Sequence, residues 1–273
     1  MKNFAVRYPL AFSLLLTLVL FGLIFVSRVA LPTEIVSSVT DLPPEASLQP
    51  SPREQFLSAI ESSENLFQAL VILLAVLLIT AFGWWHRIGF NRPSQWRNLG
   101  LLLFPLLVGA LSFLGGIEVS APALFFSTLL GLLLAVFSEE VFYRGVLLQV
   151  LVPTGVVRAV VLTSLLYGTL YLAELGSARP WPEAVYLALL ATCAGFTYAA
   201  LRWRTASIWP VLALHFVLKL FGEISTPERV PSLVPLLVFA STLGFIGYGL
   251  FLLRNPRIQK DGGATAQEQA RTR

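Results

Sequence analysis

The sequence predicts an all-α, polytopic membrane protein with about eight transmembrane helices and both termini in the cytoplasm. Hydrophobic residues make up 56% of the 273 residues, and charged residues only 12%. Soluble domains carry about 25% charged residues, so this composition indicates a membrane protein. The apolar residues are grouped into long runs, and the basic residues between those runs favour one side of the membrane. The predicted class rests on these observations.

The spans come first, because a helix that crosses the bilayer needs about 20 mostly apolar residues. Suitable runs lie at approximately 9–27, 65–85, 99–116, 122–151, 156–175, 182–202, 207–222 and 231–253. The first run follows two basic residues, as a signal peptide would. Its apolar stretch is too long for one and no small-x-small cleavage pattern follows, so we expect a retained anchor.

The Lys and Arg residues between the runs and at their ends determine the orientation. With a cytoplasmic N-terminus and alternating spans, thirteen of them fall on the cytoplasmic side and four on the outer side. This distribution follows the positive-inside rule, and adding or removing one span would scramble it. The net charge of +4 is therefore a topology signal, and we expect no nucleic-acid partner. The single cysteine, Cys193, excludes a disulfide framework.

Three regions follow from this order. Residues 1–121 hold the N-terminal spans and an outer loop at 31–64, and residues 122–222 form a core that carries the polar motifs. Residues 223–273 hold the last span and a polar tail that we expect to be disordered in the cytoplasm. Within the outer loop, the capping-box pattern at 51–54 predicts the start of a helix that continues into the second span.

Ionisable residues inside the spans are candidates for function, because a charge in the bilayer is costly. The fourth span contains Glu139, Glu140 and Arg144, and the seventh contains His215 and Lys219. Arg144 follows Glu140 by four residues, a spacing that suits an ion pair. Counted from the cytoplasmic span ends, His215 lies about 12 Å deep and Glu140 about 16 Å deep at 1.5 Å per residue. The two side chains can therefore meet.

Several kinds of chemistry fit such a cluster. Two carboxylates beside an imidazole can support hydrolysis, with a carboxylate activating water and the histidine binding or protonating the reacting group. They could also hold a metal ion, but one histidine and two carboxylates are a thin ligand set for zinc, so we expect no cofactor. The structural alternative is an ion-pair network that ties helices together, since the charges of Glu139, Glu140, Arg144 and Lys219 sum to zero.

The order of these motifs resembles the CAAX prenyl endopeptidase and bacteriocin-processing family, also called the CPBP or Abi family, over roughly 122–220. These proteins are intramembrane glutamate-dependent endopeptidases and their relatives. Glu139-Glu140-x-x-x-Arg144 matches the first family motif in full. The resemblance implies that one glutamate activates water and that His215 takes part in catalysis. It also implies contact with lipid, a membrane-associated peptide or prenylated protein as substrate, and a bacterial plasma membrane as the location.

Two of the three motifs depart from the family pattern. In the second motif, Phe-x-x-x-His, Tyr167 and Tyr171 stand at the Phe and His positions, and in the third, His-x-x-x-Asn, Lys219 replaces the asparagine. A tyrosine, whose ordinary pKa is about 10, cannot cycle a proton at neutral pH as histidine does, although it could donate a hydrogen bond to an oxyanion. Lysine cannot reproduce the donor and acceptor pattern of an amide.

Two main hypotheses result. The protein is either an active endopeptidase or a non-catalytic relative that uses the same helical cavity for binding or scaffolding, and we expect that cavity on the cytoplasmic side. A transporter is a third class, because intramembrane charges also build ion pathways. The sequence contains no matching halves with broken helices, and this weakens the transporter hypothesis.

Overall fold

The computed structural model describes residues 2–30, 63–93, 96–119, 122–176, 180–226 and 229–254. Within these ranges the chain is helical apart from short connections and one isolated β-bridge between Ile117 and Ser225. This confirms the predicted all-α class. Residues 31–62 of the predicted outer loop at 31–64, the helix start at 51–54 and the predicted tail after 254 lie outside the described residues.

The α-helices are numbered here in chain order. They are α1 Lys2–Arg7, α2 Pro9–Ala30, α3 Ser63–Phe82, α4 Leu103–Ala110, α5 Pro122–Glu139, α6 Leu148–Leu151, α7 Val156–Leu170, α8 Trp181–Thr205, α9 Trp209–Ile224 and α10 Val234–Leu253. Short 3-10 helices extend or connect them at Trp96–Leu102, Leu111–Gly115, Val152–Thr154 and Tyr171–Gly176.

The described helices have the length and composition of a polytopic membrane protein. Four helical stretches are long and apolar enough to cross a bilayer, namely Asn98–Gly115, Val156–Ala173, Trp181–Thr205 and Val234–Leu253, and Pro9–Phe25 and Phe67–Phe82 are shorter apolar helices. Each of the eight predicted runs coincides with a helix or with consecutive helices. The number of eight spans and their orientation stay predictions.

The fourth predicted run is not one α-helix. After α5 ends at Glu139, the backbone is a π-helix over Glu140–Leu147, and α6 follows directly. All eight residues of this π-helix are buried. Most π-helices are single-turn insertions that occur at functional sites, and their wider turn changes the direction of every side chain that follows. The sequence motif Glu-Glu-x-x-x-Arg therefore straddles the change from α to π geometry.

Close contacts of α8 position the helices around this segment. The helix packs against α7 on one side and α10 on the other. A Cβ atom added to Gly168 on α7 would lie 2.7 Å from the backbone oxygen of Ala188 on α8, and one added to Gly195 on α8 would lie 2.9 Å from Cδ1 of Tyr167 on α7. Such distances leave room for a hydrogen atom only. Glycine at these positions therefore permits the close approach of α7 and α8, as expected for helix contacts in membranes.

One end of the helix bundle, called the capped end, is covered by residues 83–91. Nη2 of Arg202 donates to the backbone oxygen of Arg87 at 3.1 Å, the backbone N–H of Ile208 donates to that of Gly89 at 2.8 Å, and Oγ of Ser207 donates to that of Asn91 at 2.7 Å. Because an unpaired backbone group is costly in an apolar setting, these bonds hold the loop against the helix ends. In the predicted orientation the capped end is cytoplasmic.

Candidate active site

His215 of α9 and Glu140 of the π-helix form the deepest contact of the polar cluster. Nδ1 of His215 lies 2.7 Å from Oε1 of Glu140, and both side chains are buried. An ionised carboxylate only accepts hydrogen bonds, so Nδ1 carries the proton in this contact. Glu140 thereby fixes the orientation of the imidazole and turns its other nitrogen, Nε2, away from the π-helix.

Arg144 completes this buried group. Its Nη1 lies 3.2 Å from the same Oε1 of Glu140, as an ion pair without hydrogen-bond geometry. The centre of the guanidinium lies 4.1 Å from the ring centroid of Tyr167, 5.3 Å from that of Tyr198 and 6.0 Å from that of Tyr143. A cation beside an aromatic face is attracted by the ring quadrupole, most strongly where water is excluded. Tyrosine rings therefore provide much of the environment that stabilises this charge.

Glu139 has a different set of partners. Nζ of Lys219 lies 2.7 Å from its Oε1, and the hydroxyl of Tyr167 donates to its Oε2 at 2.7 Å. Nε2 of His215 is 3.7 Å from that same Oε2. The hydroxyl of Tyr171 in turn lies 3.2 Å from that of Tyr167. The side chain of Glu139 is 15% exposed, whereas that of Glu140 is fully buried, so Glu139 is the carboxylate within reach of water.

The structure therefore brings all seven predicted site residues into one cluster. They are Glu139, Glu140, Arg144, Tyr167, Tyr171, His215 and Lys219. The other histidine, His86, is exposed on the loop of the capped end. Among the described residues, no group of three or more His, Cys, Asp or Glu side chains is arranged to hold a metal ion.

Sequence reasoning missed two tyrosines of the site. The ring of Tyr198 stacks on the imidazole of His215, with ring centroids 4.8 Å apart and planes inclined by 31°. The ring of Tyr143 packs edge-on against Tyr167 at 5.2 Å. Tyr143 directly precedes Arg144 in the first motif, and Tyr198 interrupts an apolar span three residues after Gly195. These two positions in the sequence are the signals that could have identified the tyrosines as site residues.

A cavity of about 550 Å³ adjoins the cluster. Tyr167, Tyr171, His215 and Lys219 lie at its inner end, and α8, α9 and α10 contribute most of its apolar wall. It extends to Tyr186 near the start of α8, Gly222 near the end of α9 and Val234 at the start of α10. These residues mark the end of the bundle opposite residues 83–91, and that end is called the open end below.

The expectation of a cytoplasmic-side cavity and the predicted orientation do not agree for this cavity, because in that orientation its open end faces outward; both stay predictions. The depth estimates for Glu140 and His215 placed the site near the cytoplasmic ends of their helices. They did not include the loop over 83–91, which packs against Arg202 and Ile208 and covers that end.

The fold and the cluster define the class of protein: a helical membrane protein with a buried carboxylate–histidine site beside an apolar cavity. Residues 121–221 match the model of the family described as type II CAAX prenyl endopeptidase Rce1-like. This match confirms the family assignment made from the motifs, and it covers the segment that contains every residue of the cluster. Residues 121–221 are thus similar to the CAAX prenyl endopeptidase family. Neither a curated protein nor a solved structure matches it.

Proposed function

We propose that the protein is an intramembrane endopeptidase that hydrolyses membrane-associated polypeptides, with Glu139 as the base that activates water. The arrangement of His215 between the two carboxylates carries this proposal. Glu140 holds Nδ1 at 2.7 Å, and Nε2 faces Oε2 of Glu139 at 3.7 Å. His215 lines the cavity, and Glu139 is bonded to two residues that line it, Lys219 and Tyr167. A base close to a histidine that a third group orients is the usual geometry of catalytic proton transfer.

The roles of these groups follow from their positions. Glu139 takes a proton from water while the water oxygen attacks the carbonyl carbon of the substrate. The carbon–nitrogen bond then breaks, and the proton passes from Glu139 through Nε2 of His215 to the leaving nitrogen. Glu140 and Arg144 are positioning residues in this scheme, because both are buried and act through His215.

The two departures from the family motifs receive roles in the same scheme. The ammonium group of Lys219 and the hydroxyl of Tyr171 both line the inner end of the cavity. Both groups are hydrogen-bond donors, and donors aimed at a developing negative charge stabilise the transition state of acyl transfer. Lys219 and Tyr171 would therefore stabilise the oxyanion that forms when water attacks. The substrate we infer is an apolar or lipidated peptide in the bilayer of a bacterial plasma membrane.

A specific observation favours a second candidate, a non-catalytic member of the family that binds the same kind of polypeptide. Both oxygens of Glu139 already accept short bonds, from Lys219 and from Tyr167. With His215 neutral, the charges of the two glutamates, Arg144 and Lys219 cancel. A cancelled and hydrogen-bonded set of charges is a stable structural element, and it leaves the carboxylate less free to take a proton from water.

Cleavage assays separate the two candidates. The purified protein in detergent is incubated with membrane-peptide and farnesylated-peptide reporters. Glu139→Gln keeps the shape of the side chain and removes the base, so we expect cleavage to fall by about 10²–10⁴-fold. Glu118→Gln is the matched control, because Glu118 lies in an exposed ion pair with Arg229, away from the cluster. Equal rates for Glu139→Gln and the parent would contradict the assigned base.

Restoring the family residues tests the second candidate. If the folded parent cleaves none of the reporters and the Tyr171→His, Lys219→Asn double variant does, the protein is a binding member that has lost hydrolysis. Cleavage by the parent itself contradicts that candidate.

A further inference from the structure

The two ends of the helix bundle differ in a way that determines how a ligand reaches Glu139. At the capped end, the loop over 83–91 is joined to the end of α8 and the start of α9 through five hydrogen bonds. The donors are Arg202 Nε, Arg202 Nη2, the backbone N–H of Ile208, Ser207 Oγ and Trp209 Nε1. Ile88 of this loop is fully buried. The capped end is thus covered by a loop that is hydrogen-bonded to the ends of both helices.

The cavity leads in the other direction. Along α9, Lys219 lies at its inner end and Gly222 and Glu223 follow about one turn further toward the open end. Gly222 and Glu223 are exposed, so the cavity reaches the surface there. Ser112 and Ser241 add hydroxyl groups to an otherwise mainly apolar wall. Such a lining suits an apolar polypeptide segment whose backbone groups still need hydrogen-bond partners.

We infer that the substrate enters through the open end, with an apolar stretch of the polypeptide held in this cavity and its scissile bond next to Glu139. In the predicted orientation the open end faces away from the cytoplasm, so the substrate is a polypeptide presented at the outer face of the membrane. The nature of the substrate rests on the proposed function. The route of access rests on the cavity and on the packing of the capped end.

Cysteine labelling tests the route without any activity. Cys193 is first replaced by alanine, and Ser241→Cys then places a thiol in the cavity wall. His86→Cys marks the capped end and Trp181→Cys the open end, because both parent side chains are exposed. A small membrane-impermeant methanethiosulfonate is added to intact cells or to inside-out vesicles. We expect it to label Ser241→Cys and Trp181→Cys from the outer face, and His86→Cys from the cytoplasmic face.

The proposed entry through the open end is contradicted if Ser241→Cys is labelled from the same face as His86→Cys. It is also contradicted if Ser241→Cys is not labelled from the outer face. Labelling of Trp181→Cys from the cytoplasmic face overturns the orientation, and with it the outer presentation of the substrate.

A pair of glycine variants tests whether the route serves catalysis. A Cβ atom added to Gly222 or to Gly247 would meet no atom within 4 Å, and both glycines are exposed on helices. Gly222 lines the cavity and Gly247 does not. We expect Gly222→Phe to lower kcat/KM for a membrane-anchored peptide, mainly through KM, while Gly247→Phe leaves it unchanged. Equal effects of the two substitutions overturn the role of the cavity. A folded parent that cleaves nothing refutes the proposed hydrolysis instead, and the labelling result still determines the route.

Discussion

Two halves of the charge cluster sit side by side and have different surroundings. The sealed half consists of Glu140, Arg144 and the Nδ1 side of His215, where the side chains of both charged residues are fully buried. The cavity half consists of Glu139 and Lys219, whose side chains are 15% and 24% exposed. Each half pairs one carboxylate with one cation. Lys219 lines the cavity and Glu139 is bonded to Lys219, whereas Glu140 and Arg144 do not line the cavity.

This difference in burial indicates that the two halves have different roles. A buried charge must keep its partner, because isolating it in an apolar medium is very costly, so the sealed half is suited to holding His215 in place. A partly exposed carboxylate can exchange protons with water, so the cavity half is suited to reaction or binding. Adjacent positions in one sequence motif thereby acquire different physical roles.

The largest expected effect on stability comes from Arg144→Met. The substitution leaves the buried Glu140 without the guanidinium beside it, and breaking a buried pair in this way costs about 3–5 kcal/mol. The free energy of unfolding can be measured by SDS titration in mixed micelles. Arg229→Met is the control, because it removes an exposed ion pair with Glu118, and such pairs contribute less than about 1 kcal/mol. Similar losses of unfolding free energy for both variants would refute the distinction between the buried and the exposed ion pair.

A double substitution sharpens the same comparison. Glu140→Gln combined with Arg144→Met removes both charges at once and keeps similar volumes. Replacing a buried ion pair by uncharged groups is often nearly neutral. We therefore expect the double variant to regain most of the unfolding free energy that Arg144→Met loses. A double variant that is even less stable than the single one would show that the pair is not the source of the effect.

A smaller loss is expected for Lys219→Met in the cavity half. It removes one charged hydrogen bond to Glu139, which contributes about 1.5–3 kcal/mol, and the remaining carboxylate can still be hydrated because it is partly exposed. The same unfolding measurement applies. If Lys219→Met destabilises the protein as much as Arg144→Met does, the two halves are equally sealed.

The smallest effect belongs to Tyr167→Phe. The hydroxyl of Tyr167 donates to Oε2 of Glu139, while Lys219 continues to balance the charge of that carboxylate. The phenylalanine ring keeps the aromatic face beside Arg144, so we expect a loss of about 1.5 kcal/mol, the lower end for a hydrogen bond to a charged group. Tyr167→Leu separates the two contributions, since it removes the ring as well. Equal stability of the phenylalanine and leucine variants would exclude the cation–π contact as a stabilising interaction.

Much of the fold and of the candidate site could be predicted from residue types alone. The apolar runs indicate a polytopic helical membrane protein, because only helices and closed barrels satisfy their backbone hydrogen bonds in lipid. The rarity of charges in such runs singles out Glu139, Glu140, Arg144 and Lys219. The pairing of Glu140 with Arg144 is also local, since four residues along a helix bring two side chains to the same side.

The remaining features depend on how separate helices meet. The π-helix over Glu140–Leu147, the choice of Lys219 as the partner of Glu139, and the stacking of Tyr198 on His215 have no signal in spacing. Contacts between helices depend on the rotation and axial shift of each helix, and the packing of the whole bundle sets both. The loop over 83–91 covers one end of the bundle for the same reason. The sequence by itself determined which groups had to find partners in the bilayer, and the tertiary structure decided which partners they found and toward which end of the described bundle the cavity extends.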